Sequence, residues 1–151
     1  MQKFFLTDVV NEFKIEQFFE CDLYLSKGGW KMKTYRALFV WQKSMDLVKK
    51  IYSATRSFPK EELYGLTGQI RRCAVSIPSN IAEGYGRHSA TEYVRFLRIA
   101  IGSLYELQTQ IEISLNLDFL KKGDHGNLSS RCTEIEKMLS SLINKLVKTA
   151  S

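Results

Sequence analysis

This chain of 151 residues holds little that can break, cross-link or ligate. It has two prolines, Pro59 and Pro78, and two histidines, His88 and His125. Neither histidine has a His, Cys or acidic partner at ligand spacing, which argues against a metal site. The three cysteines, Cys21, Cys73 and Cys132, are odd in number and far apart, so a disulfide framework is excluded and reduced thiols are expected. Apolar runs of only a few residues exclude a membrane span of about 20 residues. At the start, Asp8 and Glu12 follow Phe4-Phe5-Leu6 too soon for a signal peptide, so a cytoplasmic location is expected. There is no phosphate-cradling glycine loop, nucleophile elbow or zinc-protease motif. Glu83, Glu92, Glu106 and Glu112 are spread along the chain without the paired ExxH motifs of a carboxylate cluster. No catalytic residue, metal or cofactor is therefore expected, and the reading is of a protein that is not an enzyme.

What the chain does have is helical periodicity, organised around residues 70–84. Leu66, Ile70, Cys73, Ala74, Ile77 and Ile81 recur at steps of three and four and share one face. Pro78 falls inside this pattern. A proline within a helix removes one donor and crowds the carbonyl four residues back, that of Ala74, at a cost of about 3 kcal/mol. One helix, Leu63 to Glu83, kinked at Pro78 and held by its apolar face, is the favoured reading. A helix ending at Ile77 and a second starting with Pro78 in its first turn is the alternative. Ser76, Ser79, Asn80 and Glu83 cluster around the proline; either they satisfy freed carbonyls and bond across a bundle, or they meet a ligand. The former is favoured, which makes Ser76, Pro78, Asn80, Glu83 and Gly84 a structural motif.

Three more amphipathic helices are predicted. The first runs from Ala37 to Ser57, with Trp41, Met45, Val48, Tyr52 and Thr55 on one face and Leu38 and Ile51 beside it. Ala37 cannot cap, so this start is expected to fray. Another spans Ala90 to Asn116 behind a capping box, Ser89-Ala90-Thr91-Glu92. It carries the stripe Tyr93, Leu97, Ala100, Leu104, Leu107 and Ile111, and a second stripe of Val94, Ile101 and Tyr105 about 100° around the helix. The second stripe either widens the core face or forms a subunit interface. The last helix runs from Asn127 to Lys148 after a polar loop, Asp118 to Gly126, and buries Leu128, Cys132, Ile135, Leu139, Leu142 and Leu146. Four helices with short connections predict an all-α, antiparallel up-down four-helix bundle over residues 32–151.

Residues 1–31 differ in style. They are rich in Phe, break at Gly28-Gly29, and could form a short amphipathic helix through Val9, Val10, Phe13 and Phe18. They hold four lysines and five acids, so the net charge of +6 belongs wholly to the bundle. Such a balance favours polyanionic partners. Arg71, Arg72, Arg87, Arg95 and Arg98 are the candidate phosphate contacts, with Lys43, Lys49 and Lys50 extending the patch. The competing reading is a solvated face with local pairs such as Glu92–Arg95. No RNA-binding aromatic motif is present, so sequence-specific recognition has no support.

The stretch Ile70 to Arg87, "IRRCAVSIPSNIAEGYGR", resembles the signature of the four-helix-bundle family that includes the 23S rRNA intervening-sequence proteins. The likeness extends over Tyr35 to Val48, Phe58 to Arg72 and Glu92 to Leu117, and reaches the last helix by pattern only. It implies a small cytoplasmic bundle, without enzymatic activity, that assembles with itself into a ring, a homopentamer. Relatives include accessory proteins of diversity-generating retroelements, which implies RNA or DNA and a reverse transcriptase or other protein as partners, and no membrane. A non-enzymatic, oligomeric nucleic-acid-binding accessory protein is the first functional expectation. The second is a scaffold that holds a partner protein through an apolar groove or ring surface. The likeness begins at Met32. Residues 1–31 are therefore expected to be an N-terminal extension, poorly ordered, and a candidate translated leader whose Gly28-Gly29 codons would read as a ribosome-binding site; the alternative is an arm that packs on a partner.

Overall fold

A computed structural model describes residues 24–26, 29–31 and 34–150. Its core is four helices: α1 (Phe39–Ala54), α2 (Leu66–Gly86), α3 (Ala90–Asn116) and α4 (Lys122–Ala150). Each packs on its neighbour in sequence and α4 closes on α1, which is the up-down bundle expected of four amphipathic helices with short connections. A short hairpin precedes the bundle: β1 (Tyr24–Ser26) pairs antiparallel with β2 (Gly29–Lys31). The stretch with Val9, Val10, Phe13 and Phe18 lies outside the described residues.

The core is continuous from end to end. Leu47, Ile51, Ile70, Ile77, Ile81, Leu97, Leu104, Leu107, Ile111, Ile135, Leu139 and Leu142 are fully buried. The expected faces of α2, α3 and α4 are the buried ones, with Leu66 and Leu146 at their ends half-buried. That of α1 is not. Its core side is Val40, Ser44, Leu47 and Ile51, whereas Met45 and Tyr52 are exposed and Trp41 and Val48 half-buried. The helix is turned by about a residue from the expected register. Ser44 is tolerated inside because its hydroxyl donates to the Val40 carbonyl at 2.7 Å.

Several boundaries also move. A 3-10 turn, Tyr35–Ala37, precedes α1, with Thr34 Oγ1 accepting from the Arg36 amide. The helix then starts at Phe39 with no side-chain cap, and Gln42 Nε2 reaches back to the Arg36 carbonyl. The helix expected from Leu63 is interrupted: a 3-10 turn, Lys60–Leu63, bends at Tyr64–Gly65 before α2 begins. Beyond that bend α2 runs unbroken past Pro78, which is buried within it. At the far end α4 begins at Lys122, taking in Gly123 and Gly126 that the sequence suggested as loop. The reversal is tighter because Asp118 adopts a left-handed conformation (φ 57°), the Phe119 and Leu120 amides both donate to the Ser114 carbonyl, and Leu120 is buried.

Candidate nucleic-acid interface

The cations singled out in the sequence do not form one face. Arg71 is committed to the α1–α2 joint: its Nε donates to Thr55 Oγ1 at 2.8 Å and its guanidinium lies 4.9 Å from the Tyr52 ring. Lys43 turns to α4, where it pairs with Glu134 at 2.9 Å. Lys50 lines a polar cleft of about 660 Å³ between α1 and the α3–α4 connection, together with Ser53, Ser57, Asp118 and Asp124. Lys49 and Arg72 are exposed on α1 and α2.

Arg87, Arg95 and Arg98 lie near the α2–α3 turn. Arg87 pairs with Glu83 and stacks over the Phe96 ring at 5.0 Å. Arg95 lies 3.6 Å from Glu92. Arg98, three residues on, is exposed and has no ion-pair partner among the described residues. The serine half of the capping box is present, Ser89 Oγ accepting from the Glu92 amide. The left-handed His88 (φ 54°) closes the turn.

Sequence reasoning missed who joins them. In an up-down bundle α1 and α3 begin at the end where α2 and α4 finish. Arg36, before α1, and Lys145 and Lys148, in the last turns of α4, therefore come to the end that carries Arg87 and Arg95. Against these cations stand Glu83 and Glu92, and Glu136 lines one pocket with Lys145 and Lys148. The opposite end is more nearly balanced: Lys50, Arg56, Lys60, Lys121 and Lys122 stand against Glu61, Glu62, Asp118 and Asp124. The available signal was the acid-free tail of α4, where Lys137, Lys145 and Lys148 follow Glu136 with no further carboxylate. Rings lie beside the basic end too: Tyr35 meets Trp41 at 5.4 Å and Tyr85 at 6.1 Å, and Arg36 sits 5.3 Å from the Tyr35 ring.

The polar residues around Pro78 bond mostly along their own helix, and Ser76 alone among them bonds to a neighbouring helix among the described residues. Ser79 Oγ donates to the Val75 carbonyl and Asn80 Nδ2 to the Ser76 carbonyl, both at 2.8 Å. Ser76 Oγ meets Ser103 Oγ of α3 at 2.9 Å. Gly84 is buried against Phe96 and Tyr93 of α3. Of the second α3 stripe, Val94 is buried, Ile101 packs against the core, and Tyr105 is exposed with its hydroxyl donating to Glu136 of α4 at 2.9 Å. That bond and the charge of Glu136 raise the Tyr105 pKa.

Burial pushes the Cys73 thiol up to about 11, assisted by Glu106, and the Cys132 thiol up to about 12, so both stay protonated and unreactive near neutrality. Among the described residues no group of three or more His, Cys, Asp or Glu is placed to hold a metal ion, and no helix is long and apolar enough to cross a membrane.

Comparison with known proteins agrees with this fold. A protein of the S23 ribosomal protein family from Bacteroides thetaiotaomicron, of unknown function, superposes with a TM-score of 0.65 at 24% identity, over 70% of this chain and 95% of that one. No curated protein matches. The model of the family described as 23S rRNA-intervening sequence protein matches residues 36–141, which include α1, α2, α3 and most of α4. The chain belongs to the family of 23S rRNA-intervening sequence proteins.

Proposed function

We propose that this protein is a non-enzymatic nucleic-acid-binding accessory protein, acting as a homo-oligomer whose basic bundle ends contact phosphates. The charge asymmetry between the two ends carries the reading. Arg36, Arg87, Arg95, Arg98, Lys145 and Lys148 gather at one end, outnumbering Glu83, Glu92 and the Glu136 that lines a pocket with the α4 lysines. Guanidinium groups grip phosphates in a bidentate way, and ammonium groups add point charge. The contacts are to backbone, so the binding is tolerant of sequence. The ring that the family resemblance implies would repeat the basic end around an axis and multiply weak contacts into useful avidity. The family's own description names an rRNA intervening sequence, which agrees with a polyanionic partner.

The test is titration of the full chain with a mixed-sequence RNA oligonucleotide at low and physiological salt, with the solution mass measured alongside. Binding should weaken with salt, with a log–log slope of about 0.7 per phosphate neutralised on a single strand. The double reversal Arg95→Glu/Arg98→Glu should abolish binding while the helical circular dichroism is unchanged. Undiminished binding by that variant removes the basic end from the interface. Salt-independent binding removes the phosphate mechanism.

A further inference from the structure

The basic end carries flat surfaces as well as charge. Trp41, Tyr35, Tyr85 and Tyr93 form a chain of rings set edge to face, with successive centroids 5.4, 6.1 and 6.3 Å apart. Tyr93 is buried, whereas Trp41, Tyr35 and Tyr85 are half-buried and keep part of their surface in water. The Arg36 guanidinium lies over the first two rings, 5.3 Å from Tyr35 and 5.8 Å from Trp41. Arg36 is exposed and has no ion-pair partner among the described residues. Its backbone is fixed on both sides, since Thr34 Oγ1 accepts from its amide and Gln42 Nε2 donates to its carbonyl. Arg87, two residues beyond Tyr85, makes a second stack of the same kind over Phe96 at 5.0 Å. A guanidinium backed by a ring turns its other flat side to solvent, and such a side is what a nucleobase stacks on.

We propose that this cluster of rings and ring-backed arginines takes unpaired nucleobases, so that the nucleic acid held at the basic end is single-stranded. The inference rests on the nucleic-acid reading above and specifies the form of that ligand. Phosphate contacts alone favour a duplex, whose charge along the axis is denser than that of one strand. Stacking reverses the order, because a duplex keeps its bases against one another while a single strand offers their faces. Arg36 and Arg87 each bring a cation and a ring to one place, so the phosphate and the base of neighbouring nucleotides are met together. Every base has a π-face, so the platform is tolerant of sequence. Its rings come from residues 35, 41 and 85, three separate parts of the chain, which is why no linear motif announces them.

The experiment uses the full chain with Trp30→Phe, which leaves Trp41 as the one tryptophan of the chain's two. It is titrated at low salt with a thymidine oligonucleotide and with an abasic oligonucleotide of the same phosphate number. The thymidine strand should bind about tenfold more tightly and quench the Trp41 emission, and the abasic strand should bind without quenching. Arg36→Gln, a change at an exposed side chain, should shrink that preference, and Tyr35→Leu/Tyr85→Leu should erase it while the abasic strand still binds. Helical circular dichroism is followed throughout. Equal affinity for the two strands, or a preference that survives both variants, overturns the inference and leaves phosphate binding standing. Binding of neither strand overturns the nucleic-acid reading itself, and this inference with it.

Discussion

The seam between α2 and α3 and the seam between α4 and α1 are made of different things. At the first, small side chains let the helices close: Gly84 lies against Phe96 and Tyr93, and Ser76 meets Ser103. Its cations pair along their own helices, Arg87 with Glu83 and Arg95 with Glu92, rather than across the joint. At the second, the cross-helix links are ionic, Asp46 with Arg131 and Lys43 with Glu134, and the seam opens into the polar cleft lined by Lys50 and Asp124. The long signature of α2 supplies Ser76 and Gly84 to the first seam, and Arg71 and Tyr85 to contacts with α1 and the turn before it. Its residues write a packing surface, which is why the stretch identifies a fold and is silent about a ligand.

The largest expected effect follows from the contact at Gly84. A Cβ on Gly84 would stand 2.6 Å from Phe96 Cβ and 2.9 Å from Tyr93 Cδ2. Neither atom is the loose end of a flexible chain, so Gly84→Val should cost about 3 kcal/mol in urea unfolding, at the upper end of overpacking. Gly102, in the middle of α3, has nothing within 4 Å of its added Cβ. There Gly102→Ala should stabilise by about 0.5–1 kcal/mol through helix propensity alone. If both changes moved stability in the same direction, the α2–α3 seam would not be the tight one.

Periodicity made most of the fold legible, and its failures are instructive. On α3, the stripe from Tyr93 to Ile111 is buried as its spacing implies. On α1 two stripes competed: Val40, Ser44, Leu47 and Ile51 face the core, with Ser44 bonded to its own helix, while Trp41 and Val48 pack at the core's edge and Met45 and Tyr52 are exposed. Pattern alone weighs side chains one by one, whereas the bundle weighs which register fits three neighbours at once. The early start of α4 was hidden for a similar reason: Gly123 and Gly126 read as loop, but the reversal at Asp118 and the burial of Leu120 leave no residues to spare. The candidate site was less legible. Basic residues can be counted in a sequence, but Arg71 facing Thr55 and Lys148 coming to the end that holds Arg87 depend on topology.

Alkaline titration probes the interior beside the seams. The Cys132 thiol is held up to about 12 by burial first and by Glu136 second, and the Cys73 thiol to about 11 by burial and Glu106, both from 9.0. Burial moves Tyr93 in the same direction. The folded state favours the protonated forms. Their contribution is fully present below about pH 9 and is lost as pH rises through the folded values. Cys132 alone should account for a loss of roughly 3 kcal/mol by about pH 11. Thermal melts of Cys132→Ala should show a flatter decline above about pH 9 than the parent, and Cys73→Ala a smaller flattening.

The smallest effect draws the contrast most sharply. The side chains of Lys43 and Glu134 are 45% and 46% exposed, and those of Arg131 and Asp46 are 30% and 44% exposed. Pairs so open to water couple weakly, so a double-mutant cycle of Asp46→Asn with Arg131→Gln should give about 0.5 kcal/mol. Salt decides what that energy is. In about 1 M salt the Debye length falls to about 3 Å, and an ionic coupling should vanish. The parallel cycle of Ser76→Ala with Ser103→Ala joins two neutral hydroxyls, so its coupling should survive the same salt. A bundle with one seam sensitive to ionic strength and one indifferent to it loosens first along α1 and α4. If the Asp46–Arg131 coupling persisted in high salt, that seam too would be held by shape, and the difference between the two would lie in side-chain identity alone.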